Sequence, residues 1–510
     1  MSSERIAKNT FFLSVRMFVT MGVSLYTSRI ILEILGVNDY GIYNIVGGIV
    51  VILGFLSGTL STASSRFITV ALGSGNRLEM KQTFSSILFV NIILSIAILI
   101  IGETAGLWVL LNKLQIPVER INAAFWVYQI SLATVMLNII SVPYNAVIIA
   151  HERMKAFAYM SLFDVICKFI LVLLLRYIEN FDKLLLYAFS IFIVQILDRI
   201  IYGYYCSKNF EESHFTRNFT GPQVTKVFHF IGWAAYGSLV SVGFTQGLNV
   251  LLNIFFGPIM NAARGISVLV QNSVLQFTAN FQTAINPQII KSFVSRDFST
   301  TRKLLAVSSK LSFFLLCIIG IPIIIEAKFV LTVWLKHVPD YTVQFVRLMI
   351  IISIWSSLAN PLRIVNHADG NIKKFQLFEC SLLLMIVPIS YLVLRQTRIP
   401  ESVFYVHLII ELIAQAVRMK IVLPKIDMKF TRYIKSIYLR VLPVFLIPVL
   451  IGYITKLMLK DNAFSPLFIL ILTELMIFAL IYFIGIDASE RMYLKEKVIT
   501  KLDFKRDKNE

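Results

Sequence analysis

Long apolar stretches follow one another along almost the whole chain, separated by short segments rich in charge, glycine or proline. An α-helix needs about 20 apolar residues to cross a bilayer, whereas a membrane strand alternates over only about ten. The pattern therefore predicts an all-α integral membrane protein with about fourteen transmembrane helices. The predicted spans are 11–34, 42–72, 84–111, 121–150, 156–177, 183–206, 227–255, 262–290, 305–326, 341–368, 376–394, 401–422, 436–458 and 464–484.

Composition supports this class, because 57% of the residues are hydrophobic and only 15% are charged, unlike an ordinary soluble domain. The net charge of +19 does not indicate nucleic-acid binding, since the basic residues punctuate apolar runs instead of forming one soluble module. Most lysines and arginines fall at the connections from even to odd spans. Such basic connections are typical of the cytoplasmic side, so both termini are predicted to be cytoplasmic.

An internal repeat is visible in the sequence. The segments SVPYNAVIIAHERMKAF (141–157) and ANPLRIVNHADGNIKKF (359–375) align with Pro143 on Pro361, and short turns at Gly36 and Gly257 join corresponding pairs of spans. The repeat predicts two six-helix lobes with two helices appended. Repeats of this kind are typical of transporters. The predicted boundaries are 1–215 for the first lobe, 216–425 for the second, and 426–510 for the last two spans with a basic cytoplasmic tail.

The sequence contains no motif typical of catalysis, nucleotide binding or metal binding. There is no phosphate-binding G-x-x-x-x-G-K-[ST] motif, and no loop appears long enough for an extracytoplasmic or nucleotide-binding domain. The four cysteines and six histidines lack the spacing of a disulfide framework or a metal site. We therefore expect a protein that is not an enzyme and that holds neither a cofactor nor a metal.

Three arginines, Arg16, Arg29 and Arg66, lie in the first two predicted spans. Each costs about 2.5–3.5 kcal/mol in lipid, so at least some should face water, a partner or an anionic ligand. Arg16 shares one helix face with Thr20. Arg29 has Glu33 four residues on and could either pair with it or bind a ligand. For Arg66 the alternative to a ligand is snorkelling to the inner headgroups.

Spans seven and eight carry stripes of hydroxyl and amide side chains at helical spacing, and span eight adds an arginine. Such ladders often do no more than join helices through hydrogen bonds. Because the stripes lie in spans that correspond to spans one and two, we predict a wet cavity that binds substrate. Its predicted substrate-binding residues are Arg16, Thr20, Arg29, Arg66, Ser238, Thr245, Asn249, Arg264 and Gln276.

Asp164 and Lys168 lie one helical turn apart in the otherwise apolar fifth span. One interpretation is a structural ion pair. The other is that protonation of Asp164 or an incoming anion breaks the pair, so that both residues couple the cavity to the proton gradient.

The stretch RIILEILGVNDYGIYNIVGGIVVILGFLSGTLSTASSRF resembles the opening hairpin of the polysaccharide-transporter branch of the multidrug/oligosaccharidyl-lipid/polysaccharide exporter superfamily, the Wzx-type O-antigen and capsule flippases. The matching residues are Arg29, Leu35, Gly36, Asp39, Tyr40, Gly41, Tyr43, Arg66 and Phe67. The resemblance implies a V-shaped bundle in a bacterial inner membrane that flips undecaprenyl-diphosphate-linked oligosaccharide by alternating access. In the related lipid II flippases, arginines of spans one, two and eight line the lumen. Arg16, Arg66 and Arg264 are their nearest counterparts here.

The resemblance also implies partners: the lipid-linked oligosaccharide, the bilayer, a polysaccharide polymerase and a chain-length regulator. Two other classes remain as alternatives. A cation-coupled multidrug antiporter of the same fold would need carboxylates in its cavity, whereas the first two spans carry arginines. A membrane-bound glycan polymerase or ligase would need a substantial external loop for its chemistry, and none is evident in the sequence.

Overall fold

The structure is a computed structural model of the 510-residue chain. It describes residues 3–491 except 55–56, 58–59, 62–63, 65–66, 69–70, 73–75, 152, 179, 217–220, 336, 370–372, 460–464 and 488–489. The side chains of residues 3–18, 53, 154, 221–238, 280, 283, 284 and 287 also lie outside the description.

Helices dominate the described part of the chain, which contains no strand. They are α1 (Ser3–Leu53), α2 (Arg77–Ile101), α3 (Leu107–Asn112), α4 (Ile121–Ala150), α5 (Met154–Leu174), α6 (Lys183–Asn209), α7 (Gly221–Phe256), α8 (Pro258–Val294) and α9 (Phe298–Leu335). They continue with α10 (Thr342–Ser356), α11 (Ala359–Asp369), α12 (Lys373–Leu384), α13 (Ile386–Thr397), α14 (Ser402–Val422), α15 (Phe430–Tyr433), α16 (Leu439–Met458) and α17 (Ser465–Leu480).

Within the described residues, 10 helices are long and apolar enough to cross a membrane. The count rises to 11 if α10 and α11, which meet at a bend of 41°, form one span. The prediction of an all-α, multi-pass membrane protein is therefore confirmed. The predicted total of about fourteen spans includes 42–72, much of which lies outside the described residues, so that number stays a prediction.

Two glycines make the turns that the sequence predicts between paired spans. Gly36 interrupts α1 with φ of 73°, and Gly257 separates α7 from α8 with φ of 78°. Positive φ is readily adopted only by glycine, which explains why each apolar run divides at this residue. Gly41 lies close to the second turn, since a Cβ atom there would stand 2.0 Å from the carbonyl oxygen of Pro258.

An arginine joins the first hairpin to two later elements. Arg120, in a short 3₁₀ turn before α4, donates to Asp39 through Nε at 2.9 Å and also forms an ion pair with Asp182. Asp182 caps α6 by accepting the backbone N–H of Leu184. Burial acts to raise the pKa of Asp182, but the hydrogen bonds and charge of Arg120 outweigh it and lower that pKa. Asp39 of the Asp-Tyr-Gly motif therefore has a structural partner.

We expect Arg120→Ala to destabilise the protein by about 2 kcal/mol, because two partly buried carboxylates would lose their shared cation. The unfolding temperature of the purified protein measures the effect. Arg77→Ala is the matched control, since its ion pair with Glu211 is largely exposed and should contribute little. Equal unfolding temperatures for the two variants would show that the Arg120 contacts do not stabilise the fold.

Contacts divide the chain into two compact units. The first comprises Met1–Ile266, Pro339–Tyr341 and Leu383–Val403, and the second comprises the remaining residues. The first unit has an apolar core formed mainly by α1, α2, α4 and α6, in which Ile42, Phe84 and Tyr128 are fully buried. The predicted lobe boundaries at 215 and 425 stay predictions.

The second unit combines an aromatic cluster with a buried charge network. Phe313, Trp355 and Phe445 pack with ring centroids 5.5–6.4 Å apart. Arg418 is fully buried and donates at 2.7 Å to Glu379 and to Glu411. Because every buried charge in this network has an opposite partner, its desolvation is compensated within the helices.

Candidate functional site

A polar cavity of about 360 Å³ lies within the first unit. Three neighbouring helices supply most of its wall. Each contributes a set of three polar residues, of which the second follows the first by three positions and the third follows the second by four. Such spacing places all three residues of a set on one helix face. The polar lining residues are Thr20 on α1; Asn138, Ser141 and Asn145 on α4; Ser161, Asp164 and Lys168 on α5; and Gln195, Asp198 and Tyr202 on α6.

Three charged side chains meet in this cavity. Lys168 Nζ lies 2.6 Å from Asp164 Oδ1, so the ion pair that the sequence predicts within α5 is formed. Asp198 on α6 is 9% exposed and lines the same cavity as Asp164. The cavity thus holds two carboxyl groups and one ammonium group, an arrangement that can exchange a proton or bind a cation. The coupling role of Asp164 and Lys168 stays a prediction.

Sequence reasoning missed Asp198 and the polar faces of α4 and α6. The signal was present, since residues 138, 141 and 145 and residues 195, 198 and 202 repeat the spacing of 161, 164 and 168. Thr20 also lines this cavity, and its predicted role in binding substrate stays a prediction.

Arg264, near the start of α8, is a buried cation that differs from Lys168 in its partner. It is 5% exposed and donates to the main-chain oxygen of Thr245. Among the described residues it forms no ion pair with a carboxylate. A carbonyl dipole compensates a guanidinium charge only partly, so an anion brought to this residue would gain a strong partner.

The predicted stripe of span seven is engaged in an amide network. Asn261 donates to Asn249 Oδ1 at 2.7 Å, and Asn253 donates to Asn261 Oδ1 at 2.9 Å. Asn249 in turn donates to the carbonyl oxygen of Asn44, and Asn253 accepts from the backbone N–H of Gln115. These contacts agree with the helix-joining alternative for Asn249. Its role in binding substrate stays a prediction.

The other predicted ligands lie apart from this network. Arg29 is half-buried, and Glu33, its suggested intrahelical partner, forms an ion pair with Arg176 at 2.9 Å. Thr245 donates to its own helix at Ser241 O. Gln276 is half-buried in the second unit. The side chains of Arg16, Arg66 and Ser238 lie outside the described residues.

Solved structures with a similar fold are membrane transporters. Lipid II flippase MurJ in an inward closed conformation matches with a TM-score of 0.67 at 14% identity, over 92% of this chain and 98% of that one. An inward-facing multidrug resistance MATE family transporter of the MOP superfamily matches with a TM-score of 0.66 at 13% identity, over 79% and 94% of the two chains.

A eukaryotic MATE transporter, AtDTX14, matches with a TM-score of 0.62 at 14% identity, over 86% of this chain and 99% of that one. No family model and no curated protein matches the sequence. At this low identity, the likeness shows that the chain has a fold shared by MATE transporters and MurJ.

Proposed function

We propose that this protein is a flippase that moves undecaprenyl-diphosphate-linked oligosaccharide, an O-antigen or capsule repeat unit, across the bacterial inner membrane. The fold supports a transporter, and the resemblance of residues 29–67 to Wzx-type flippases supports this substrate class. The termini are proposed to lie in the cytoplasm, where Lys and Arg are enriched. A polysaccharide polymerase and a chain-length regulator are its proposed partners.

Arg264 is the observation that carries the proposal. Its guanidinium is buried without an ionic partner among the described residues. A diphosphate loses its hydration when it leaves water, and a guanidinium can replace that hydration through two parallel hydrogen bonds. Arg16 and Arg66 are proposed to contribute in the same way. The lipid tail can meanwhile remain in the bilayer.

The polar cavity of the first unit is the proposed coupling site. A proton bound at Asp164 or Asp198 would change the charge next to Lys168 by one unit. The Asp164–Lys168 pair would then weaken, so binding of a proton at the cavity could favour one arrangement of α5 and α6 over another. This mechanism would make transport depend on the proton gradient.

A second candidate function is a cation-coupled multidrug antiporter of the same fold. Asp198 specifically favours it, because the cavity then contains more carboxyl groups than cations and could hold a positively charged compound. An antiporter of cationic compounds would have no use for a buried arginine that lacks an ionic partner. We favour the flippase because Arg264 is such a residue.

Disruption of the gene in its own host tests the proposal. We expect surface glycan to disappear and the lipid-linked repeat unit to accumulate, because the polymerase would no longer receive its substrate. Restoration by the wild-type gene is the necessary control. Normal surface glycan together with increased sensitivity to cationic drugs would instead support the antiporter.

A further inference from the structure

A second polar cavity, of about 350 Å³, lies in the second unit at the ends of three apolar segments. Lys303 and Ser299 belong to the first turns of α9, and Arg432 to α15. Glu490 follows the last apolar segment, Ser465–Gly485. Because apolar spans end where the hydrocarbon ends, the cavity lies at the membrane–water boundary. The lining residues are Ser299, Arg302, Lys303, Ala306, Val307, Met428, Arg432, Ser436, Asp487 and Glu490.

The two carboxylates of this cavity already have cationic partners behind its wall. Lys310 is 2% exposed and its Nζ lies 2.7 Å from Glu490 and 3.2 Å from Asp487. Asp487 also pairs with Arg440. Neither Lys310 nor Arg440 lines the cavity, so these two cations balance the two acids without using the lining arginines and lysine.

The three lining cations are not balanced in the same way. Arg302 donates to the main-chain oxygens of Ile426 and Asp427, which fix its guanidinium but carry no net charge. Lys303 and Arg432 are exposed and form no ion pair among the described residues. Three cations from two separate segments therefore surround one cavity.

Lys303 also interacts with the charge of Asp297, which directly precedes α9. Asp297 is already engaged, because its carboxylate accepts the backbone N–H of Thr300 at 3.0 Å. Hydrogen bonds from Thr300 lower the pKa of Asp297, so this group stays ionised at neutral pH. Even with Asp297 included, the lining arginines and lysine leave the cavity with an excess of positive charge.

The cavity also offers the other features that an amphipathic anion requires. Ser299 and Ser436 supply hydroxyl groups beside the cations, and Ala306, Val307 and Met428 supply an apolar part of the wall. Phosphate oxygens accept hydrogen bonds from arginine, lysine and hydroxyl groups together. Basic pockets between membrane helices at this depth can bind the headgroups of anionic lipids.

We propose that this cavity binds a phosphate group, with the headgroup of an anionic phospholipid as the source that its position at the membrane boundary favours. The site is separate from the proposed transport substrate and does not depend on it. In this proposal, Arg432 and Lys303 contact the phosphate oxygens, and Arg302 is oriented beside them by its hydrogen bonds to main-chain carbonyl oxygens. The apolar part of the wall contacts the acyl chains where they join the glycerol.

The test uses the purified full chain in detergent containing equal amounts of phosphatidylglycerol and phosphatidylcholine, with retained lipid measured by native mass spectrometry. We expect the wild type to retain phosphatidylglycerol preferentially. The variant Lys303→Gln/Arg432→Gln should lower that preference about 10- to 30-fold, since each basic group near an anionic headgroup contributes about tenfold or less. Arg395→Gln/Arg398→Gln, which removes two exposed arginines of the first unit, is the matched control and should retain the wild-type preference.

A second arm distinguishes a lipid from free phosphate. Inorganic phosphate is added to the lipid-free protein, and the unfolding temperature is compared between wild type and the double variant. A rise that only the wild type shows, without retained phosphatidylglycerol, would assign the same site to free phosphate. If the double variant aggregates on size-exclusion chromatography, Arg432→Gln alone should give about half of the effect on a logarithmic scale. Equal lipid retention by all folded variants, with no effect of phosphate, would overturn the proposal.

Discussion

Replacement of Arg264 by glutamine should lower transport about 10- to 100-fold while the protein remains in the membrane, because one charged hydrogen-bond partner of the diphosphate would be lost. Glutamine can still donate to the Thr245 carbonyl oxygen, which is the partner that the structure gives Arg264. Arg264→Lys should retain part of the activity, since it keeps the charge but loses the fork of donors. Surface glycan at matched protein levels is the measurement.

Arg77→Gln is the appropriate control for this experiment. Arg77 also belongs to the first unit, but its side chain is 78% exposed and it pairs with Glu211. Its replacement should leave glycan display unchanged. Normal display by Arg264→Gln at a normal protein level would remove Arg264 from the mechanism and with it the main support for an anionic substrate.

Replacement of Asp198 by asparagine should abolish the response of transport to an imposed pH gradient while leaving the protein folded. The change removes the carboxyl group that makes acids outnumber cations in the cavity, yet asparagine preserves its size and hydrogen bonding. Transport in vesicles, with and without a pH gradient, measures the effect. Glu211→Gln, an exposed carboxylate outside the cavity, should respond to the gradient like the wild type. A gradient-sensitive Asp198→Asn protein would exclude Asp198 as the proton site.

The same measurement separates the two interpretations of the Asp164–Lys168 pair. Asp164→Asn alone leaves Lys168 without its 2.6 Å partner and should reduce the protein level. If the pair is structural, adding Lys168→Met should restore both the protein level and gradient-dependent transport. If the pair takes part in coupling, the double variant should fold but no longer respond to the gradient.

Local sequence patterns predicted the parts of the structure that depend on neighbours along the chain. The turns at Gly36 and Gly257 were predictable because each glycine interrupts a long apolar run and glycine adopts positive φ without steric cost. The Asp164–Lys168 pair was predictable because residues four apart on a helix lie side by side.

Contacts between distant segments could not be predicted in this way. A pair between Glu33 and Arg29 one turn away was one of two alternatives that the sequence offered, whereas the ion pair of Glu33 with Arg176, 143 residues later in the chain, had no local signal. Likewise, Asp198 and Asp164 line one cavity only because the polar faces of α5 and α6 meet there. Each polar face can be read from the spacing of its residues, whereas the choice of which faces meet depends on the packing of the whole unit.

The most direct test of the proposed function is flipping in vesicles that contain only this protein and undecaprenyl-diphosphate-linked oligosaccharide. An impermeant reagent that modifies the glycan from outside reports the fraction exposed on the outer leaflet. The proposal predicts that glycan lipid of the inner leaflet reaches the outer leaflet much faster in vesicles with the protein than in vesicles without it. Arg264→Gln should slow this exchange about 10- to 100-fold. The proposal would be contradicted if the glycan lipid exchanged no faster than in empty vesicles while the same protein still transported a cationic drug across the membrane under a pH gradient.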